Sequence, residues 1–353
     1  MQWQQFWRWL CIAALSAAAL LYGFVLIVDP YDTLPFSPPM DRRPVASNQR
    51  FAYPAVAANP DFDSAVFGTS TTRLLQPDRL NDVLGARFAN LSMNSGTTYE
   101  QQRIFDLFAD HHPAPRFVIF GIDDEWCSTA EALPLFTFRP FPPWLYDGNP
   151  WNDALHLFDA FSVEQAIRQV GYLIGRRPAK YGRDGYMDFL PPDSEYDLTR
   201  ARSHIYGGGE PRQHEPVVKP ADAYGPQRAA WVYPAHARMA AMLARLPETT
   251  TAALVFVPYH HYVQPAPGSL DAARWAECKM RLTGIATARP MTHVIDFMFP
   301  SEITRHDENY WDALHYSVAV ANELVRFIDE AIDRREGRAD YYRYLRPGVE
   351  PAW

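Results

Sequence analysis

Cysteine is scarce: three in 353 residues, at Cys11, Cys127 and Cys278. So few exclude a scaffold built on disulfides, and no Cys/His set stands at a zinc spacing. Cys11 lies in an apolar N-terminal run, which leaves Cys127 and Cys278 as the two that can pair. Two such cysteines fit an oxidising compartment without demonstrating one. Basic runs are also lacking after the N-terminus and the formal charge is −8, which argues against nucleic acid as a partner. Charge is missing altogether from "LCIAALSAAALLYGFVLIV", the nineteen residues Leu10 to Val28. At 1.5 Å per residue that stretch makes a helix of about 28 Å, enough to cross a hydrocarbon layer of about 30 Å. A cleaved signal peptide would have a shorter apolar region followed by small residues. Here the small residues "ALSAAA" lie inside the run, so residues 1–28 read as an uncleaved single-pass anchor. Arg8 before it and Arg42 and Arg43 after it do not decide the orientation.

What remains is globular in composition, 48% hydrophobic and 21% charged, and long enough to bury a large core. The segment "DPYDTLPFSPPMDRRPVASNQR" is proline-rich and aperiodic and reads, with the residues after it, as an extended linker over 29–58. Short runs rich in Val, Ile and Phe then recur: "FDSAVFG", "RFANLSM", "RFVIFGID", "AALVFVPY" and "THVIDFM". Each has strand length and a turn residue at its end. Helical patterns separate them, beginning with "TRLLQPDRLNDVLG", which Pro77 interrupts, and ending with "HYSVAVANELVRFIDEAIDRRE". The alternation predicts an α/β domain over 59–335, with a mostly parallel sheet covered on both faces and ligands at the carboxyl ends of the strands. Residues 336–353 remain as a tail. Between 125 and 226 the alternation stops in favour of Pro, Gly, Tyr and Trp, and a structureless loop of that length is unexpected, so the segment reads as an inserted cap. Its Trp144, Tyr146, Trp151 and Tyr186 read first as the core of that cap and second as platforms for sugar rings.

Chemistry concentrates in two places. Ser70, in "FGTSTTR", stands where a strand gives way to a helix, a position that suits either an N-cap or a nucleophile. Near the other end, "NYWDALHYS" sets Asp312 and His315 three apart, so that one turn presents an acid and a base together. Serine, histidine and acid form the general nucleophile, base and orienter set. The Gly-x-Ser-x-Gly elbow is not matched, because the second glycine is absent from Gly68-Thr69-Ser70-Thr71-Thr72. His260 and His261 emerge at the end of the fourth strand, as solvated loop residues or as substrate contacts. As neighbours on extended chain they point opposite ways, which disfavours a shared metal ion.

These residues resemble the SGNH (GDSL-like) hydrolases. The family's nucleophile block is similar to Gly68-Thr69-Ser70, with Thr69 where Asp is usual; its second block is similar to "NLSMNSG" and points to Gly96; its last is the Asp-x-x-His of Asp312 and His315. The likeness runs from about Phe62 to Ile332, without the insertion. It implies a three-layer flavodoxin-like sheet, Ser70 as nucleophile, His315 as base and Asp312 as its orienting acid, with an oxyanion hole from the N–H groups of Ser70 and Gly96 and the Asn94 amide. The third block departs: where the family has Gly-x-Asn-Asp, this chain has Gly121-Ile122-Asp123-Asp124. An ionised carboxylate cannot donate to an oxyanion, so Asp123 is expected to be protonated, neutralised by a cation such as Arg73, or turned away. The anchor, the "VDPY" exit, the Thr-containing block and the insertion look like SGNH-type proteins of bacterial exopolysaccharide O-acetylation systems. That implies a cytoplasmic-membrane protein with a periplasmic catalytic domain, a polysaccharide substrate, an acyl-donating membrane protein as partner, and no metal or organic cofactor. The expected function is a serine-dependent carbohydrate O-acyl esterase or O-acetyltransferase. The alternative is a non-catalytic glycan-binding or scaffolding subunit that lost its chemistry at Asp123.

Overall fold

The computed structural model of the chain describes residues 2–212 and 224–349. In chain order its helices are α1 (Gln2–Val28), α2 (Gln49–Ala58), α3 (Pro77–Leu84), α4 (Thr98–His111), α5 (Ala160–Leu173), α6 (Leu198–Ile205), α7 (Gly225–Ala230), α8 (Ala235–Ala244), α9 (Leu270–Thr287) and α10 (Val318–Arg334). The strands are β1 (Ser64–Phe67), β2 (Phe88–Asn90), β3 (Phe117–Ile122), β4 (Thr251–Phe256), β5 (Thr292–Asp296) and β6 (Arg343–Tyr344). The first five fall on the five apolar runs and pair in parallel in the order 2-1-3-4-5, while β6 adds antiparallel to β5. This is the doubly wound, flavodoxin-like order.

Alternation along the strands divides the core in two. Ala65, Phe67, Val118, Phe120, Leu254 and Phe256 face one side, where α2, α4, α8 and α9 cover them. Val66, Ile119, Ala253, Val255 and Ile295 face the other, under α3 and α10. Strands buried on both faces carry continuous apolar runs, which is why these five were visible as such. The sheet is mixed, mostly parallel, with helices on both faces, and one apolar N-terminal helix is long enough to span a membrane.

The structure departs from the sequence reading in four places. Residues 29–58 do not run as an extended linker. Asp29 accepts from the N–H of Leu34 at 2.9 Å and the hydroxyl of Ser37 at 2.9 Å, Arg42 donates to the Val28 carbonyl at 2.7 Å, and Asn48 caps α2. A buried Arg42 thus satisfies carbonyls that the end of α1 leaves open. Behind Ser70 the chain makes only a 3-10 turn over Thr72–Leu74, and α3 starts afresh with Pro77 in its first turn, where a proline is tolerated. The tail is not separate from the domain, because Tyr342 is buried and β6 extends the sheet; its residues 350–353 lie outside the described residues.

The inserted segment also differs. Among the described residues it encloses no core of its own: Leu145, Tyr146, Leu157 and Tyr181 join the first core, and Ile205 and Tyr206 the second. Residues 213–223 of it lie outside the described residues. Among its expected cap aromatics, Tyr146 is buried with its hydroxyl donating to the Arg50 carbonyl at 2.9 Å, whereas Trp151 is exposed. Cys127 and Cys278 form a disulfide that ties the turn after β3 to α9.

Candidate active site

Ser70 sits just beyond β1, on a turn that glycine makes possible. The side chain of Thr72 folds back between the ends of β1 and β3. A Cβ on Gly68 would stand 2.2 Å from Thr72 Oγ1, and one on Gly121 would stand 2.1 Å from Thr72 Cγ2. Both positions therefore need glycine for close approach. Thr72 fills the slot and donates to Ser92 Oγ at 3.0 Å. The turn is also tied to the far end of the chain: the buried Tyr316 hydroxyl donates to the Thr71 carbonyl at 2.7 Å.

That tie brings the two expected pieces together. Ser70 Oγ lies 2.9 Å from His315 Nε2, and His315 Nδ1 lies 2.7 Å from Asp312 Oδ2. The other Asp312 oxygen accepts the N–H groups of Leu314 at 2.8 Å and His315 at 2.9 Å. Partial burial alone would raise the Asp312 carboxyl, but the His315 hydrogen bond and these N–H groups outweigh it and hold its pKa below the usual value. An ionised Asp312 fixes the proton on Nδ1 and leaves Nε2 to accept from the Ser70 hydroxyl. The Phe189 ring, from the inserted segment, meets His315 edge-on at 5.5 Å.

The expected oxyanion donors divide. Gly96 N–H donates to the Met93 carbonyl at 3.0 Å within a turn, so it is not a free donor. The N–H of Ser70 and the amide NH2 of Asn94 carry no bond to another described residue. Asn94 is held from two sides: Arg73 Nη1 donates to its side-chain oxygen at 2.5 Å, and Arg50 Nη2 to its backbone carbonyl at 3.2 Å. With its oxygen engaged, the amide is left with its donor end free. Arg73 is buried under the Phe189 ring, 4.5 Å from the centroid. Arg50 is fully buried and paired with Glu100 at 2.5 and 2.8 Å. Glu100 in turn closes a capping box with Thr97 at the start of α4.

Asp123 is buried behind the turn. Thr69 Oγ1 donates to its Oδ2 at 2.5 Å, and Oδ1 meets no hydrogen-bond donor in good geometry among the described residues. Burial, helped by the neighbouring Asp124 charge, pushes its pKa up to about 8, so it is a neutral acid at pH 7. Of the three expectations, protonation is the one its surroundings favour, because Arg73 goes to Asn94 instead.

His260 is buried and His261 half-buried, so neither is a fully solvated loop residue. His260 is buried, donates from Nε2 to Asp307 at 3.0 Å, and its backbone N–H donates to Ala313 at 2.9 Å. Burial, with His261 beside it, lowers its pKa to about 4, so it is neutral. His261 Nδ1 bonds the Thr304 carbonyl at 3.1 Å. Asp307 collects Tyr206 at 2.8 Å and Arg202 at 2.7 Å as well. Burial alone would raise Asp307, but these partners hold its pKa below the usual value. The pair therefore braces the loop that carries Asp312 and His315. Sequence reading missed Asp307, Arg50 and Phe189, and only the Thr97-x-x-Glu100 capping box had left a local signal.

No protein-family model matches the chain, and no curated protein matches it. Among solved structures, a protein from Streptococcus pneumonia, described provisionally as a platelet activating factor, aligns over 80% of this chain and 91% of its own at 10% identity, with a TM-score of 0.37. A likeness that distant carries no argument here, and the functional reading rests on the site.

Proposed function

We propose that the chain is a serine-dependent O-acyl esterase or acyltransferase of SGNH type. The observation that carries this is the continuous relay Ser70–His315–Asp312, with contacts of 2.9 and 2.7 Å, at the carboxyl edge of the parallel sheet. Ser70 Oγ attacks an acyl-ester carbonyl while its proton passes to His315 Nε2. The oxyanion accepts from the Ser70 N–H and the Asn94 amide. Collapse breaks the bond to the leaving alkoxide, which takes the proton back from Nε2, and an acyl-serine remains. Water or a sugar hydroxyl, deprotonated by the same nitrogen, then attacks and restores the free serine. Water makes the protein an esterase and a glycan hydroxyl a transferase.

The departures from the family pattern compensate one another on this reading. The family's nucleophile-block acid is replaced by Thr69 and its third-block amide by Asp123, and these two side chains touch. The acid has moved across the contact and is neutral, so it does not repel the oxyanion. That removes the reason for preferring a non-catalytic glycan-binding or scaffolding subunit. We further assign the chain to the cytoplasmic membrane through α1, with the domain on the periplasmic side, acting on an exopolysaccharide or other envelope glycan with an acyl-donating membrane protein. Support for the placement comes from the apolar length of α1 and from the disulfide, which is at home in an oxidising compartment. The test is turnover of a chromogenic acetyl ester. Ser70→Ala and His315→Ala should fall to the same low level, because members of such a unit are non-additive. Full activity in Ser70→Ala would end the proposal.

A further inference from the structure

The last turns of α1 do not leave the domain cleanly. Tyr22 donates to the Ala154 carbonyl at 2.7 Å, its ring meets Phe158 edge-on at 5.5 Å, and Val25 is fully buried. On a rise of 1.5 Å per residue, Tyr22 lies about 9 Å back from the end of α1. The apolar helix Trp3–Val28 is about 39 Å long, about 9 Å more than a hydrocarbon layer of about 30 Å, so a span begun at Trp3 ends close to Tyr22. Whatever touches Tyr22 is therefore at the boundary of the hydrocarbon layer. What touches it is rich in exposed apolar side chains: Leu155 is 78% exposed and Phe158 55%, with Trp151 at 68% beside them and Ile167 and Ile174 exposed on and just past α5. The helix α5 itself packs along α1. Past its end, Arg176, Arg177 and Lys180 are exposed, placing positive charge at the margin of the apolar face.

We propose that the 151–158 turn and α5 lie in the interfacial layer of a bilayer containing anionic lipid, beside α1, so that lipid covers Trp151, Leu155, Phe158, Ile167 and Ile174. An apolar face with a Trp and a basic margin is the composition of interfacial elements, and continuity with the anchor places this one against lipid. The proposal rests on reading α1 as a membrane span. It makes the domain a body seated on the membrane, with Ser70 at a fixed height, in place of one swinging on a tether.

The test uses the full chain in bilayer nanodiscs of zwitterionic and anionic lipid. In a Cys11→Ser background, spin labels are placed one at a time at Leu155→Cys, Ile174→Cys, Leu15→Cys in α1 and Arg79→Cys on exposed α3, and accessibility to oxygen and to a water-soluble nickel complex is compared. The expected result is an oxygen-to-nickel ratio severalfold higher at Leu155 and Ile174 than at Arg79, with the Leu15 label deeper still. If Leu15 is in lipid but Leu155 and Ile174 match Arg79, the proposal is wrong and the anchor stands. If those two are shielded from both reagents, protein covers the face and the proposal is equally wrong. If Leu15 itself is in water, the anchor reading fails and takes the proposal with it.

Discussion

Replacing Asp123 by Asn tests the electrostatics behind the turn that carries Ser70. The folded chain raises this carboxyl from 3.8 to about 8, chiefly through burial. Between those values the folded state holds a proton that the unfolded chain releases. The stabilisation from the neutral acid is therefore full below about pH 4 and is lost as pH rises towards 8. At 1.36 kcal/mol per unit, a shift of about four units amounts to on the order of 5 kcal/mol over the whole window. An amide does not ionise, can still bond Thr69, and so lacks this slope. Urea midpoints of both proteins in the same detergent, followed by tryptophan fluorescence from about pH 5 to about pH 8, should show wild type losing up to about 4 kcal/mol relative to Asp123→Asn. Parallel curves across that range would refute a buried neutral acid.

Three more expectations follow from the same packing. Glu100→Gln leaves the buried Arg50 charge without its counter-ion and should lower stability by about 3–5 kcal/mol, read from the denaturant midpoint. Gly121→Ala drives a methyl into Thr72 and should cost about 1–3 kcal/mol; Thr72→Ser removes the Cγ2 that it meets, so the double variant should recover part of the loss. Asn94→Ala should lower kcat on an acetyl ester by about 10²–10³-fold with little change in KM, since the amide is needed only when the oxyanion forms, and Arg73→Met should lower kcat in the same direction by freeing that amide to rotate.

Much of the sheet was legible because β1 to β5 are buried on both faces and so appear as apolar runs bounded by turn residues. Ser70, Asp312 and His315 were legible because their local contexts, a strand end and an Asp-x-x-His turn, are short-range signals. The residues that hold them were not. Arg50 reaches Glu100 and Asn94 from a segment whose prolines and missing periodicity hid a ten-residue helix. Asp307 gathers His260 from one distant stretch and Tyr206 and Arg202 from another, and nothing in "RHDEN" marks it out. Gly96 was chosen by its place in a resembling block, and no such pattern shows that its N–H is already committed to Met93. The inserted segment looked autonomous because its composition changes, yet its apolar residues complete the cores of the sheet.

The central claim is that Ser70 is a nucleophile activated by His315. Its most direct test is intact-mass analysis of the full chain in detergent after exposure to a serine-reactive phosphonate, beside Ser70→Ala and His315→Ala. The account predicts one adduct on wild type, none on Ser70→Ala, and strongly slowed labelling of His315→Ala. A folded wild type that takes no adduct, or an adduct that persists in Ser70→Ala, would contradict it.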